Sequence, residues 1–176
     1  MSMSEPVSRI PGLEIWQPRV FADERGAFLE VFRAQALPEA MVQSNHSQSR
    51  AGVLRGLHYH RHQADLWYVV KGSAQVGLVD LRDRTEPLAV ETFVIGEDQP
   101  TAVYIPPGVA HGYLALTDMD MIYWVTSEYD PADEHGVAWD DAAIGLPWRV
   151  NGTPPVLSER DLANPPLSWD QIPSFS

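Results

Sequence analysis

Two histidines stand two residues apart at His58 and His60, inside the stretch GVLRGLHYHRHQADLWYVVKG that runs from Gly52 to Gly72. Side chains of an extended strand alternate between faces, so both imidazoles project from the same face. Asp65 follows after a turn-like break, and His111 lies farther on, behind Pro106 and Gly108. Three imidazoles and a carboxylate could do either of two kinds of chemistry. They could ligate a divalent metal with open coordination positions, or an imidazole could move a proton while a carboxylate fixes its tautomer. Arg55 interrupts the apolar run before His58, a charge that a plain core strand does not need.

The elements that must position these residues read as short strands. Leu13–Val20 and Ala27–Phe32 are apolar runs either side of a turn at Asp23-Glu24-Arg25-Gly26, and Arg33–Val42 has weak helical character broken at Pro38. Further strands are expected near 52–59, 65–71, 74–82, 89–95, 101–106, 111–117 and 120–128, the spacing of a sandwich or barrel. Lys71-Gly72-Ser73 reads as a hairpin turn, since Gly reaches positive φ without steric cost. The tail, rich in Pro and Trp, holds one short helical candidate at Ser158–Ala163 with Ser158 as N-cap. The central stretch spells G-x5-H-x-H-x4-D-x6-G and is followed by P-x-G-x2-H at Pro106, Gly108 and His111. This resembles the cupin motifs, with Asp in the usual Glu place. The resemblance implies an all-β fold, a cupin-type β-barrel or jelly roll with short terminal helices, as a single domain over residues 1–176.

Composition narrows the partners. The 176 residues carry a formal charge of −12 and are 44% hydrophobic, enough for one core. An acidic chain without a Lys/Arg cluster offers no footprint for nucleic acid. No apolar run is long enough for a membrane span, and the first residues hold no signal-like apolar region. The absence of cysteine excludes thiolate chemistry and fits a reducing cytoplasm. The expectation is a soluble cytoplasmic protein with neither nucleic-acid nor membrane partners.

Several short runs occur in a fixed order: DERG at 23–26, QSNHSQS at 43–49, GVLRGLH at 52–58, VDLR at 79–82, IPPGVAHG at 105–112, YDP at 129–131, WDD at 139–141 and LSERD at 157–161. Together they resemble the dTDP-4-dehydrorhamnose 3,5-epimerase family from about residue 13 to 168. The resemblance implies a metal-free, cofactor-free isomerase that inverts C3 and/or C5 of a dTDP-linked 4-keto-6-deoxy sugar. In that chemistry a base removes a proton alpha to the carbonyl, and an acid returns one from the opposite face. The base falls on His58, its paired carboxylate on Asp161 and the acid on Tyr129. Arg25, Glu30, Gln43, Asn45, Arg55, His60, His111, Glu134 and Arg160 fall on substrate-binding positions. A homodimer is implied too, with N-terminal strands paired between subunits, so that the apolar strand at 27–32 leaves no exposed edge.

Two departures from the family pattern bear on the chemistry. His60 stands where the family has Gln, and Asp65 where it has a Lys that helps hold the enolate oxygen. A like charge at 4 Å costs about 4 kcal/mol at an effective dielectric of 20. The expectation is therefore a His60–Asp65 contact in which an imidazolium replaces the lysine, and no bound metal. Two other readings stay open. One is a metal-dependent cupin, an oxygenase or isomerase, with His58, His60, Asp65 and His111 as ligands. The other is a sugar-nucleotide binder without activity. His46 and His62 lie in loop-like contexts and are read as solvated.

Overall fold

The computed structural model describes residues 8–175. Its strands are β1 (Glu14–Trp16), β2 (Val20–Asp23), β3 (Gly26–Leu29), β4 (Gln43–Ser49), β5 (Leu54–Tyr59), β6 (Asp65–Lys71), β7 (Ser73–Asp80), β8 (Val90–Gly96), β9 (Ala102–Ile105), β10 (Val109–Ala115), β11 (Met119–Val125) and β12 (His135–Gly136), followed by the short helix α1 (Glu159–Leu162). One antiparallel sheet runs β1-β9-β6-β11-β4, a second runs β12-β5-β10-β7-β8, and β2–β3 form a separate hairpin. This is the cupin-type jelly roll: two five-stranded sheets face to face.

Alternation decides what lies between them. Trp67, Val69, Val103, Met119 and Met121 from the first sheet meet Val76, Leu78 and Tyr113 from the second in one buried cluster. The outer face of the second sheet is covered by the C-terminal segment, with Leu57, Tyr59 and Val79 against Ile144, Trp148 and Ile172. The N-terminal segment covers the other sheet, with Leu29, Phe32 and Leu37 against Leu66, Tyr68 and Tyr104. The interior therefore closes at one end with hydrocarbon and stays open and polar at the other.

Several local expectations are corrected. Gln43–Ser49 forms a full strand that apolar alternation does not reveal, because its inward face is Gln43, Asn45, Ser47 and Ser49. Leu13–Val20 is split, since strand pairing ends at Trp16 and resumes at Val20 after Pro18. Arg33–Val42 contains only a single 3-10 turn at Ala34–Ala36. Lys71-Gly72-Ser73 is no hairpin, because β6 and β7 belong to different sheets. Gly72 sits there at φ 73°, where a Cβ would come within 2.3 Å of the Asp118 carbonyl oxygen. A non-glycine residue has no room for that crossing.

Candidate functional site

The polar end of the barrel encloses a cavity of about 380 Å³. Its walls come from interior positions of both sheets, with Trp67 packed edge-on against His111 and Tyr113 at ring-centroid distances of 5.3 and 5.7 Å. A register shift between β10 and β5 shapes the mouth. His111 opposes His58 and Tyr113 opposes Arg55, so β5 spends three residues where β10 spends two. Such a bulge re-aims side chains, and it brings Arg55 to the same cavity as His58 and His60 although their numbers differ in parity. Gly56 lies in the bulge, where a Cβ would meet Gly112 Cα at 2.6 Å.

At the mouth, His58 Nε2 lies 2.5 Å from Asp161 Oδ1. Asp161 is delivered by α1: Ser158 is the N-cap, its hydroxyl accepting from the Asp161 backbone N–H at 3.1 Å. Burial would raise the Asp161 carboxyl. Hydrogen bonds from His58, Ser158 and the Gly56 N–H outweigh that and hold it below the ordinary value. A carboxylate so held only accepts, so the His58 Nε2 carries the proton and donates it. That leaves the Nδ1 lone pair, for which there is no protein partner among the described residues. An imidazole lone pair beside an oriented carboxylate can take up a proton.

Tyr129 lies on the same rim, together with Glu134 and Arg160, which are bridged at 2.6 Å. The Glu134 carboxylate beside the phenol pushes Tyr129 above its ordinary value, so the hydroxyl keeps its proton across the neutral range. Arg55 is tied to Ser49 Oγ at 3.1 Å and the Gln48 carbonyl at 3.2 Å, and Gln43 donates to Asn45 at 2.8 Å.

Deeper in the cavity are the other two histidines. His60 donates through Nδ1 to the Asp133 carbonyl, and His111 through Nδ1 to the Val109 carbonyl, each at 2.9 Å. The expected His60–Asp65 contact is not made at hydrogen-bond or ion-pair distance, although their ligand atoms lie within 4.8 Å. Asp65 instead accepts from the Gln63 amide at 2.8 Å and the Trp67 indole at 3.2 Å. The imidazole nearest to it is His111, with Nε2 at 3.9 Å. Burial lowers His111 to about 4, with Asp65 opposing the shift and His60 and His58 adding to it.

This constellation matches a known sequence pattern over nearly the whole chain. The model of the family described as dTDP-4-dehydrorhamnose 3,5-epimerase matches residues 7–168. The chain belongs to the dTDP-4-dehydrorhamnose 3,5-epimerase family. It is an isomerase family, and its members include the enzyme of Shigella flexneri, 35% identical over 88% of this chain and 91% of its own. The Bacillus subtilis spore coat polysaccharide biosynthesis protein SpsL is 39% identical over 80% of this chain and 97% of its own. Among solved structures, Legionella pneumophila RmlC in complex with dTDP-4-keto-L-rhamnose superposes with a TM-score of 0.86 at 30% identity, covering 96% of both chains. The Streptomyces bikiniensis 3'-monoepimerase ChmJ, in complex with dTDP-quinovose, gives 0.83 at 32% identity over 90% of this chain and 85% of its own.

Every site residue expected from the epimerase resemblance lines the cavity except two. Arg25 sits in the β2–β3 turn, bridged to Asp23 with its side chain 85% exposed. Glu30 pairs with Arg33 at 2.6 Å. Neither reaches the cavity of its own chain. Other residues in the site carried no sequence signal. Asp133 positions His60 through a backbone carbonyl and holds the Arg61 and His62 N–H groups with its carboxylate. Gln63 orients Asp65. A main-chain acceptor has no residue type to recognise, and a lone Gln in a turn has no pattern.

Proposed function

We propose that this protein epimerises a dTDP-linked 4-keto-6-deoxy sugar, with His58 as base and Tyr129 as acid. The observation that carries the reading is the His58–Asp161 pair, with a partner-free imidazole nitrogen on His58. His58 Nδ1 takes the proton from the carbon alpha to the carbonyl. The C–H electron pair moves into the C–C bond, and the carbonyl π pair moves onto oxygen as an enolate. Collapse of the enolate with a proton from Tyr129 on the opposite face inverts the centre. Asp161 stabilises the imidazolium formed on the way. Arg55 and Arg160 suit the diphosphate, since a guanidinium matches its oxygens two at a time. Gln43, Asn45, His60, His111 and Glu134 complete the binding surface.

Arg25 and Glu30 enter this reading through a homodimer. The β2–β3 hairpin stands apart from both sheets and exposes Val20, Phe21 and Phe28, the last at 69%. Pairing with a second copy would cover that surface and carry Arg25 to the partner's cavity. Sedimentation at micromolar concentration tests this, and a monomer counts against it. Among the described residues no helix is long and apolar enough to cross a membrane, and with the cysteine-free composition we place the enzyme in the cytoplasm. The reaction itself is tested by incubating the protein with dTDP-4-keto-6-deoxyglucose in deuterated water. Deuterium at C3, C5 or both supports the reading and identifies the centre. No incorporation removes it in favour of a silent binder.

A further inference from the structure

We infer that His60, Asp65 and His111 form a binding site for one divalent transition-metal ion, held through both Nε2 atoms and an Asp65 carboxylate oxygen, with His58 outside the set. Their ligand atoms all lie within 4.8 Å of one another. Both imidazoles give their Nδ1–H to a backbone carbonyl. Such a bond fixes the tautomer in which Nε2 bears the lone pair, the arrangement usual for metal-bound histidine. Two lone pairs and a carboxylate therefore converge with no donor among them.

His111 Nε2 opens to the cavity, so an ion entering from solvent can reach this convergence. His111 is 6% exposed and Asp65 4% exposed. His111 Nε2 has no hydrogen-bond partner among the described residues, and the donors on Asp65 are the neutral amide of Gln63 and indole of Trp67. A buried carboxylate is normally paired with a cation or a metal. A shared proton does not bridge this group, because the 3.9 Å between His111 Nε2 and Asp65 exceeds hydrogen-bond range. Metal–ligand bonds of about 2.0–2.2 Å hold tetrahedral ligands about 3.4 Å apart. The three side chains must then draw together by roughly 1 Å, and His60 stands just beyond the end of β5, outside the ladder that fixes its neighbours. Two imidazoles and one carboxylate suit zinc, cobalt, nickel or ferrous iron rather than magnesium or calcium.

Resting on the proposed epimerisation, the ion has a task there. An enolate needs a positive charge near its oxygen. The cavity lining contains no lysine, and on the proposed reading its two arginines are taken up by the diphosphate. An ion of charge +2 beside Asp65 leaves a net +1, with open coordination positions facing the cavity. His58 stays paired with Asp161 and available as the base, so a metal and a base coexist in one site. This departs from the metal-free expectation carried by the family resemblance.

The test uses untagged protein freed of metal by a chelator and titrated with Co²⁺. The expected result is one equivalent bound, with visible absorption typical of imidazole and carboxylate ligation. Asp65→Asn and His60→Gln should each weaken it at least tenfold, with urea midpoints near that of wild type as the control for folding. His58→Asn should bind Co²⁺ as tightly as wild type. No saturable Co²⁺ or Zn²⁺ binding, or binding indifferent to Asp65→Asn and His60→Gln, overturns the site, as does loss of binding in His58→Asn. Solvent-deuterium exchange separates the two readings. Protein that binds Co²⁺ but exchanges nothing keeps the metal site and loses the epimerase. Chelated protein that exchanges at the full rate and binds no metal does the reverse.

Discussion

One cavity contains two groupings of histidine and aspartate, and they use their imidazoles in opposite senses. At the rim, His58 spends Nε2 on the carboxylate of Asp161 and keeps Nδ1 free. Deeper in, His60 and His111 spend Nδ1 on backbone carbonyls and keep Nε2 free, turned toward a carboxylate they do not hydrogen-bond. The first arrangement strengthens a base, since a carboxylate partner stabilises the imidazolium. The second only orients its imidazoles, because a backbone carbonyl carries no charge, and at His111 burial penalises the cation as well. On the proposed readings, which nitrogen is tied, and to what, divides identical residue types between proton transfer and ligation.

The comparison breaks most readily at His58. Replacement by Asn removes the free lone pair and leaves the deeper cluster untouched, so proton exchange should fall by about 10²–10⁴-fold, the range of a lost general base. Affinity for dTDP should be nearly unchanged by isothermal titration. If exchange in that variant stays near wild type, the base is elsewhere and the distinction between the groupings loses its meaning.

Exchanging each aspartate for asparagine sharpens it. Asp161→Asn keeps a hydrogen-bond acceptor for Nε2 but removes the charge that stabilises imidazolium, so kcat should drop on the order of 10²-fold with KM little moved. Added metal should not restore it. Asp65→Asn should also lower kcat, but its loss should shrink as Zn²⁺ or Co²⁺ is raised in the assay. Equal behaviour of the two variants toward metal would show that the groupings are not distinct.

How much of this could be read from the chain depended on whether a residue's role left a periodic trace. His58, Asp65 and His111 stand in strands and His60 just past the end of one, and period 2 announces the shared face of His58 and His60. Strand β4 defeated the same logic because its inward residues are Gln43, Asn45, Ser47 and Ser49. A strand that lines a polar cavity has no apolar side to reveal it. Asp161 was legible only through the family resemblance, since an acid in a short helix is ordinarily a solvated charge, although its N-cap Ser158 was visible locally. Arg25 and Glu30 were legible as family positions but not as members of this cavity. The crossing at Gly72 was mistaken for a hairpin because a glycine turn looks alike whether the strands pair or part between sheets.

A smaller effect separates how the two aspartates are supported. Asp161 depends on α1, whose N-cap Ser158 both accepts its N–H and helps hold its carboxylate. Ser158→Ala should cost about 1 kcal/mol of stability, the usual value of a lost N-cap, read as a lower midpoint in urea. It should also slow exchange several-fold by loosening Asp161 against His58. Metal affinity, resting on β5, β6 and β10, should not move. A cap variant that weakened Co²⁺ binding would mean the helix supports both groupings.

The smallest expected effect is a pH dependence, and its sign follows from the Asp161 carboxyl being held below its ordinary value. Burial acts to raise it, and the bonds from His58, Ser158 and Gly56 outweigh burial. The folded state therefore releases this proton more readily than the unfolded chain does, and the group contributes stability above the unfolded value of 3.8. As pH falls below that value, the unfolded chain takes up the proton first, and the contribution drains away until the folded carboxyl protonates as well. Asp161→Asn has no such proton. The difference in urea midpoint between wild type and Asp161→Asn should accordingly shrink as pH falls from about 5 through 4 to 3. A difference that instead grew over that range would mean that burial dominates at Asp161. The carboxyl would then sit above its ordinary value, and the rim aspartate would no longer be the ready acceptor that orients His58.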